Sequence, residues 1–302
     1  MFSFVSIIVI LILTSFIGRI FSYRILRPVI DITKIAQETI SHEDLDKRVK
    51  TEHMDEEMKY LTAAFNDMIS RLSKSFEYIV DFSSNVAHEL KTPIAIMIGE
   101  AELSLRRDQT VEEYKRVLNV NLEESKRILK TIEDLLLLTK LDFRSAIFNF
   151  ENFDLIIFLE EIYAQTRVLA RPKEINVSKN FPKKEILVKA DRVHLRRLFF
   201  NLISNAIKFN RIKGSVKFEV NEINNNIEIS IIDTGIGISD KDKDRIFDKF
   251  FHNDNKFSPE EQGNGLGLSI ALAISKIHKG DIVFESAHGK GSHFKVILPV
   301  SR

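Results

Sequence analysis

Between Leu61 and Leu138 the apolar residues of this chain recur in steps of three and four, and near Asp142 that periodicity gives way to short alternating runs. Leu61, Phe65, Met68 and Leu72 have the spacing of a coiled coil. From Ser75 to about Arg107 the helix continues through Ile79, Val86, Leu90, Ile94, Met97, Ala101 and Leu105. A polar turn around Asp108-Gln109-Thr110 then leads to a second helix with Val117, Asn121, Ile128, Ile132, Leu135 and Leu138. One pair of antiparallel helices with stripes this narrow cannot cover them, whereas four helices from two chains can. The pattern therefore predicts a bundle formed by a homodimer.

The segments on either side have a different texture. Upstream, Tyr23 to Phe76 reads as helix, connector, helix: Pro28 opens the first, Ile32, Ile35, Ala36, Thr39 and Ile40 share one side, and Ser41 to Met54 is polar. Downstream, the predicted order is a strand at Phe148 to Phe150, a helix over 154 to 170, and strands near 174 to 179 and 186 to 189. Asp191 caps a helix to about Phe209, and strands near 215 to 221 and 226 to 232 form a hairpin around Asn224-Asn225-Asn226. A helix from Gly265 to His278 and strands near 281 to 285 and 292 to 298 finish a mixed sheet with helices on one face, an α+β sandwich.

Met1 to Ile17 is almost wholly apolar, and if Arg19 snorkels the run extends to Phe21, roughly 30 Å of helix at 1.5 Å per residue. That predicts a single span of the cell membrane over residues 1–22. Arg19, Arg24 and Arg27 all follow it, which places the rest of the chain on the cytoplasmic side. The net charge of +1 over 302 residues gives no electrostatic case for direct nucleic-acid binding. Without cysteine, disulfides, iron-sulfur clusters and thiolate zinc sites are excluded.

Four blocks carry chemistry. In His88-Glu89-Leu90-Lys91-Thr92-Pro93, residues four apart stack, so His88 and Thr92 share a helix face with Glu89 flanking the imidazole. Pro93 predicts a kink just past the histidine, since its ring removes one backbone bond and crowds the Glu89 carbonyl, costing roughly 3 kcal/mol. Asn201-Leu202-Ile203-Ser204-Asn205-Ala206 sets two asparagines on one face of the Asp191 helix, with Lys208 and Phe209 a turn further. In Asp233-Thr234-Gly235-Ile236-Gly237 a carboxylate ends an alternating strand, where it can accept from an adenine amino group while Gly235 and Gly237 let the backbone approach the base. In Gly263-Asn264-Gly265-Leu266-Gly267-Leu268 three glycines open a helix whose free N–H groups attract phosphate. Taken singly, each block is as readily a solvated histidine, a turn-capping asparagine pair or an ordinary glycine turn.

Together and in this order the four blocks resemble a sensor histidine kinase. The residues Pro28, Asp55-Glu56-Glu57-Met58 and Ala64-Phe65-Asn66-Asp67-Met68 resemble a HAMP signal-relay domain. The resemblance implies domains at 1–22 (membrane helix), 23–76 (HAMP), 77–143 (dimerisation and phosphotransfer hairpin) and 144–302 (ATP-binding domain of the GHKL type). It implies ATP and Mg2+ as cofactors, with Asn205 the metal ligand, Asn201 assisting, Lys208 on phosphate and Phe209 against ribose and base. Asp233, Gly235, Gly237, Gly263, Gly265, Leu266, Gly267 and Leu268 complete the nucleotide set. Ile246-Phe247-Asp248-Lys249-Phe250-Phe251 resembles the aromatic box of the family, and His252 to Gln262 a lid over ATP. Its chemistry would have Glu89 withdraw a proton from His88, His88 take the γ-phosphoryl group, and a separate response regulator receive it on an aspartate, with Thr92 orienting water for the reverse reaction. Relatives commonly have tyrosine where Phe209 stands and arginine where His252 stands. The competing expectations are another ATPase of the same superfamily, which has no use for His88, and a non-catalytic membrane signalling scaffold.

Overall fold

The computed structural model describes residues 2–21, 56–106, 108–142, 148–223, 225–252 and 263–300, with positions 30, 33, 48 and 49. The chain divides into two units, Met1–Val86 and Ala87–Arg302.

In the first unit, α1 (Phe2–Phe21) is the apolar N-terminal helix. The expected membrane span is corrected here: among the described residues no helix is long and apolar enough to cross a membrane. The expectation needed Arg19 to snorkel; the stretch ahead of Arg19 rises only about 27 Å at 1.5 Å per residue, short of the roughly 30 Å hydrocarbon core. Ser3, Ser6, Thr14 and Ser15 interrupt it as well, Thr14 bonding back to the Ile10 carbonyl at 2.9 Å. The single-span placement in the cell membrane, with the catalytic region on its cytoplasmic side, falls with the span. The helix expected from Pro28 lies outside the described residues except at 30 and 33, and the connector except at 48 and 49. Val49 is buried, and the Asn66 side chain grips it from both ends: the Val49 N–H donates to Asn66 Oδ1 at 3.1 Å and Asn66 Nδ2 donates to the Val49 carbonyl at 3.0 Å. Asn66 stands on α2 (Glu56–Leu105), whose buried positions in this unit are Thr62, Ile69 and Ser73. The coiled-coil stripe lies one position over, and Leu61, Met68 and Leu72 are exposed.

In the second unit α2 passes through Pro93 as one helix, with Pro93 buried. After the turn, α3 (Val111–Asp142) opens on a capping box: the Glu113 N–H donates to Thr110 Oγ1 at 3.2 Å, and the Thr110 N–H donates to Glu113 Oε2 at 2.8 Å. Two faces of α3 can be told apart. Leu118, Leu122, Leu129 and Leu136 are exposed, whereas Thr131, Asp134, Leu138 and Leu141, again spaced by threes and fours, are buried where α3 packs on α6 of the following domain.

That domain begins with β1 (Glu151–Asp154), three residues later than the strand expected at Phe148 to Phe150. The Asn149 N–H is spent on Asp191 Oδ2 at 2.8 Å, so this stretch cannot join a ladder, and the rings of Phe148 and Phe150 pack on His194 and His278 instead. Asp154 caps α4 (Leu155–Ala170) by accepting from the Ile156 N–H at 2.9 Å. The inward positions of α4, Leu155, Phe158, Leu159 and Ile162, follow the helical period and are fully buried, each worth about 1.5–3 kcal/mol. There follow β2 (Asn176–Asn180), β3 (Leu187–Ala190), α5 (Arg192–Lys208), β4 (Ser215–Ile223), β5 (Asn226–Asp233), α6 (Gly267–Ile277), β6 (Asp281–Ala287) and β7 (Gly291–Pro299). β1 and β3 form a two-stranded ribbon, and the other strands a five-stranded sheet in the order β2-β4-β5-β7-β6, parallel only between β2 and β4. Register aligns Phe218, Ile231, Phe294 and Phe284 in one row and Val220, Ile229, Val296 and Ile282 in the next. α4, α5 and α6 pack on the sheet to give the expected two-layer α+β architecture.

Candidate active site

The site is built where the C-terminal end of α5, the end of β5 and the start of α6 converge. Asp191 sets the first of these. Its Oδ1 accepts from the His194 N–H at 2.9 Å, starting α5 so that Asn201, Asn205 and Lys208 project to one side. Burial pushes the Asp191 carboxyl up, but the N–H donors of His194 and Asn149 outweigh it and hold the group below the usual carboxylate range. The Asp191 N–H in turn donates to His278 Nε2 at 3.0 Å, while His278 Nδ1 bonds the Ile274 carbonyl at 2.8 Å, which fixes the ring as the neutral Nδ1–H tautomer. Thus one buried pair ties the start of α5 to the end of α6. At its other end α5 closes on Asn210, whose Nδ2 donates to the Ala206 and Ser215 carbonyls, both at 3.0 Å. Lys173 Nζ donates to the Lys208 carbonyl at 2.6 Å.

Asp233 ends β5 with Oδ1 accepting from the Gly235 N–H at 2.7 Å and the Ser292 N–H at 3.3 Å. Burial raises its carboxyl above the ordinary range, against the pull of those two donors. Gly237 has φ +67, and a Cβ there would sit 2.1 Å from the Ala287 carbonyl oxygen. Gly265, at φ +61, faces the backbone of Phe250, whose N–H donates to the Gly265 carbonyl at 3.0 Å; this bond staples the aromatic segment to the glycine loop. Both turns therefore demand glycine. α6 starts at Gly267, two residues after the expected Gly265.

These pieces surround a cavity of about 470 Å³ lined by Asn201, Asn205, Lys208, Phe209, Asp233, Gly237, Gly263, Gly265, Gly267 and Leu268. Two of the expected nucleotide residues do not line it: Gly235, whose N–H is spent on Asp233 Oδ1, and Leu266, which is fully buried in the core. The lining suits a nucleotide. Among the described residues Asn201 Nδ2 is a buried donor with no hydrogen-bond partner, Lys208 supplies a cation, and apolar walls surround a carboxyl group held for a donor. Among the described residues no group of three or more His, Cys, Asp or Glu side chains can hold a metal, so a magnesium ion at Asn205 would take its remaining ligands from phosphate and water.

His88 and Thr92 are exposed and line a separate shallow groove with Lys91, Ala95 and Ile96; Thr92 Oγ1 donates to the His88 carbonyl at 3.3 Å. Glu89 faces the nucleotide side, its Oε1 lying 3.5 Å from Nε2 of His252 in the cavity wall. The rest of the expected lid, residues 253–262, lies outside the described residues. Sequence reasoning missed Lys130, Asp134 and Lys173, which also line the cavity. For Asp134 a signal existed, the second stripe of Thr131, Asp134, Leu138 and Leu141; for Lys173 none did.

Residues 79–144 match the His Kinase A (phospho-acceptor) domain, and residues 190–302 match the histidine kinase-, DNA gyrase B- and HSP90-like ATPase family. The chain is 32% identical over 291 residues to the signal transduction histidine-protein kinase ArlS of Staphylococcus aureus strain USA300, covering 95% of this chain and 63% of that protein. It therefore spans under two thirds of the length of the curated relatives it matches. Among solved structures, histidine kinase AdeS of Acinetobacter baumannii superposes with a TM-score of 0.57 at 22% identity, over 71% of this chain and 98% of that one. Histidine kinase ThkA, solved in complex with response regulator protein TrrA, gives 0.61 at 23% identity, over 76% and 64%. These two show a shared fold.

Proposed function

We propose, on the premise that this chain carries a histidine-kinase catalytic core of a phospho-acceptor hairpin followed by a kinase-type ATPase domain, that it phosphorylates its own His88 and passes the phosphoryl group to an aspartate of a response regulator. The observation that carries this reading is the approach of Glu89 to His252. It sets the carboxylate beside the phosphoacceptor against the wall of the cavity that gathers most of the nucleotide residues. Magnesium-ATP, the substrate of this fold, supplies the γ-phosphoryl group. Glu89 takes the imidazole proton, the freed His88 nitrogen forms the bond to phosphorus, and the bond to the ADP oxygen breaks. Asn201, Asn205 and Lys208 hold the phosphates and metal, Asp233 and Phe209 hold the base and ribose, and the glycine loop admits the phosphates to backbone N–H groups. Thr92, a turn from His88, orients water for dephosphorylation of the partner.

The exposed stripes of α2 and α3 support a homodimer, since burying them on a second copy completes a four-helix bundle. Upstream, the two-ended grip of Asn66 on Val49 supports reading residues 23–76 as a HAMP relay, because it seats a connector residue on the second helix. Residues 77–143 are then the phosphotransfer hairpin and 144–302 the ATP-binding domain. The test is labelling with γ-labelled ATP. Wild type should acquire an acid-labile, base-stable label that His88→Ala lacks while still binding nucleotide; acid-labile label persisting in His88→Ala would remove the assignment.

A further inference from the structure

The second hairpin helix belongs to the nucleotide site as much as to the bundle. Asp134 on α3 is 4% exposed. A carboxylate so far from water is tolerated only when it is paired and hydrogen-bonded, and both of its oxygens are engaged by residues of the nucleotide domain. The guanidinium of Arg197, one turn before Asn201 on α5, meets Oδ1. The amide of Asn264 donates to Oδ2 at 2.7 Å. Asn264 then turns its own Oδ1 to the Leu266 N–H at 3.2 Å, so the loop between Gly263 and Gly267 is shaped by a side chain anchored on the hairpin. On the first hairpin helix, Glu89 faces His252. One chain's cavity is thus lined by that same chain's second hairpin helix, through Lys130 and Asp134, and its wall at His252 is approached by Glu89 of the first. His88 lies one residue from Glu89, so turning α2 by about 100° or less brings the imidazole to the side that Glu89 now faces.

We propose that Asp134 is a positioning residue that docks the nucleotide site on the hairpin of its own chain, so that the phosphoryl group goes to His88 of the chain that binds the nucleotide and not to that of its partner. The proposal rests on the kinase reading above. Transfer to the other chain would require the nucleotide domain to leave this hairpin, giving up the contacts of Arg197 and Asn264 with Asp134 that hold the cavity there.

Two differently tagged full chains, His88→Ala and Asn205→Ala, separate the alternatives when co-expressed and isolated as hybrid dimers through both tags. In the hybrid one chain keeps a complete cavity and no acceptor, and the other keeps an acceptor and no working cavity. Transfer within a chain leaves acid-labile label below about a tenth of the wild-type level, a barrier difference readable as a rate. Label on the Asn205→Ala chain at about half the wild-type level overturns the proposal. A wild-type chain that takes no acid-labile label removes the kinase reading itself, a distinct result. Asp134→Ala should lower kcat for self-labelling at least tenfold, a larger factor than the rise in KM for ATP, and Asp134→Glu should recover most of the loss. Unchanged kcat in Asp134→Ala overturns the positioning role. So does a joint loss of nucleotide binding and labelling that Asp134→Glu fails to relieve.

Discussion

The hairpin and the nucleotide domain use the same apolar residue types and finish with opposite surfaces. On α3, Leu118 and Leu122 remain 66% and 52% exposed, whereas Phe158, Phe199 and Phe218 of the nucleotide domain are withdrawn from water altogether. The difference lies in where the complementary surface comes from. In the nucleotide domain a sheet and three helices of one chain close on each other; on the hairpin, one stripe meets the nucleotide domain and another stays exposed among the described residues. Periodicity reports that a helix face needs cover, and it is silent about who provides it.

The largest expected effect is in the self-covered region. Phe199→Ala removes a fully buried ring and should lower the stability of the nucleotide domain by about 3–5 kcal/mol, measured by denaturant titration, with dimerisation intact. A loss below about 1 kcal/mol would show a core able to collapse around the gap, and the contrast would weaken. Next, Leu122→Lys with Leu129→Lys should leave nucleotide-domain melting unchanged and weaken the dimer by about 1.5–3 kcal/mol per side chain, read by sedimentation. If the dimer persists at low concentration, the exposed stripe is not the bundle interface.

A smaller effect comes from pH. Burial holds the His278 ring below its ordinary value of 6.5, though the Ile274 carbonyl and Asp191 pull upward. A histidine lowered in the folded state contributes stability that is complete above the unfolded pKa and is lost as pH falls from there through the folded value. The nucleotide domain should therefore weaken as pH drops below about 6.5, and His278→Ala should be less stable at neutral pH with a flatter acid limb. An equally steep acid limb in His278→Ala would assign the titration to another group. Smallest is the cap of the hairpin: Thr110→Ala should cost about 1 kcal/mol in helix stability, seen as fraying in hydrogen exchange at the start of α3 and nowhere in the nucleotide domain.

Most elements of the nucleotide domain were legible because their signals are local. Asp154 and Asp191 cap helices, buried positions alternate from Val216 to Val220 on β4 and from Ser292 to Leu298 on β7, and Gly237 and Gly265 sit in turns that only glycine tolerates well. The strand expected at Phe148 to Phe150 failed because the Asn149 N–H is captured by Asp191, distant in sequence. The expected membrane span failed on length, since it depended on how Arg19 would behave at its edge.

The sequence by itself determined the helical hairpin and the order of elements in the sandwich, because each follows from caps and side-chain periods within a few residues; the gathering of asparagines, aspartate and glycines at one end was expected only from the family resemblance. Only the tertiary structure decided which face of α3 meets the nucleotide domain. Thr131, Asp134, Leu138 and Leu141 make a stripe no stronger than the one left bare, and what selects it is the pairing of Asp134 with Arg197 and Asn264, residues far along the chain whose proximity is set by the closed fold. The same holds for Glu89 and His252, brought to 3.5 Å only because the domain folds back on the helices that precede it.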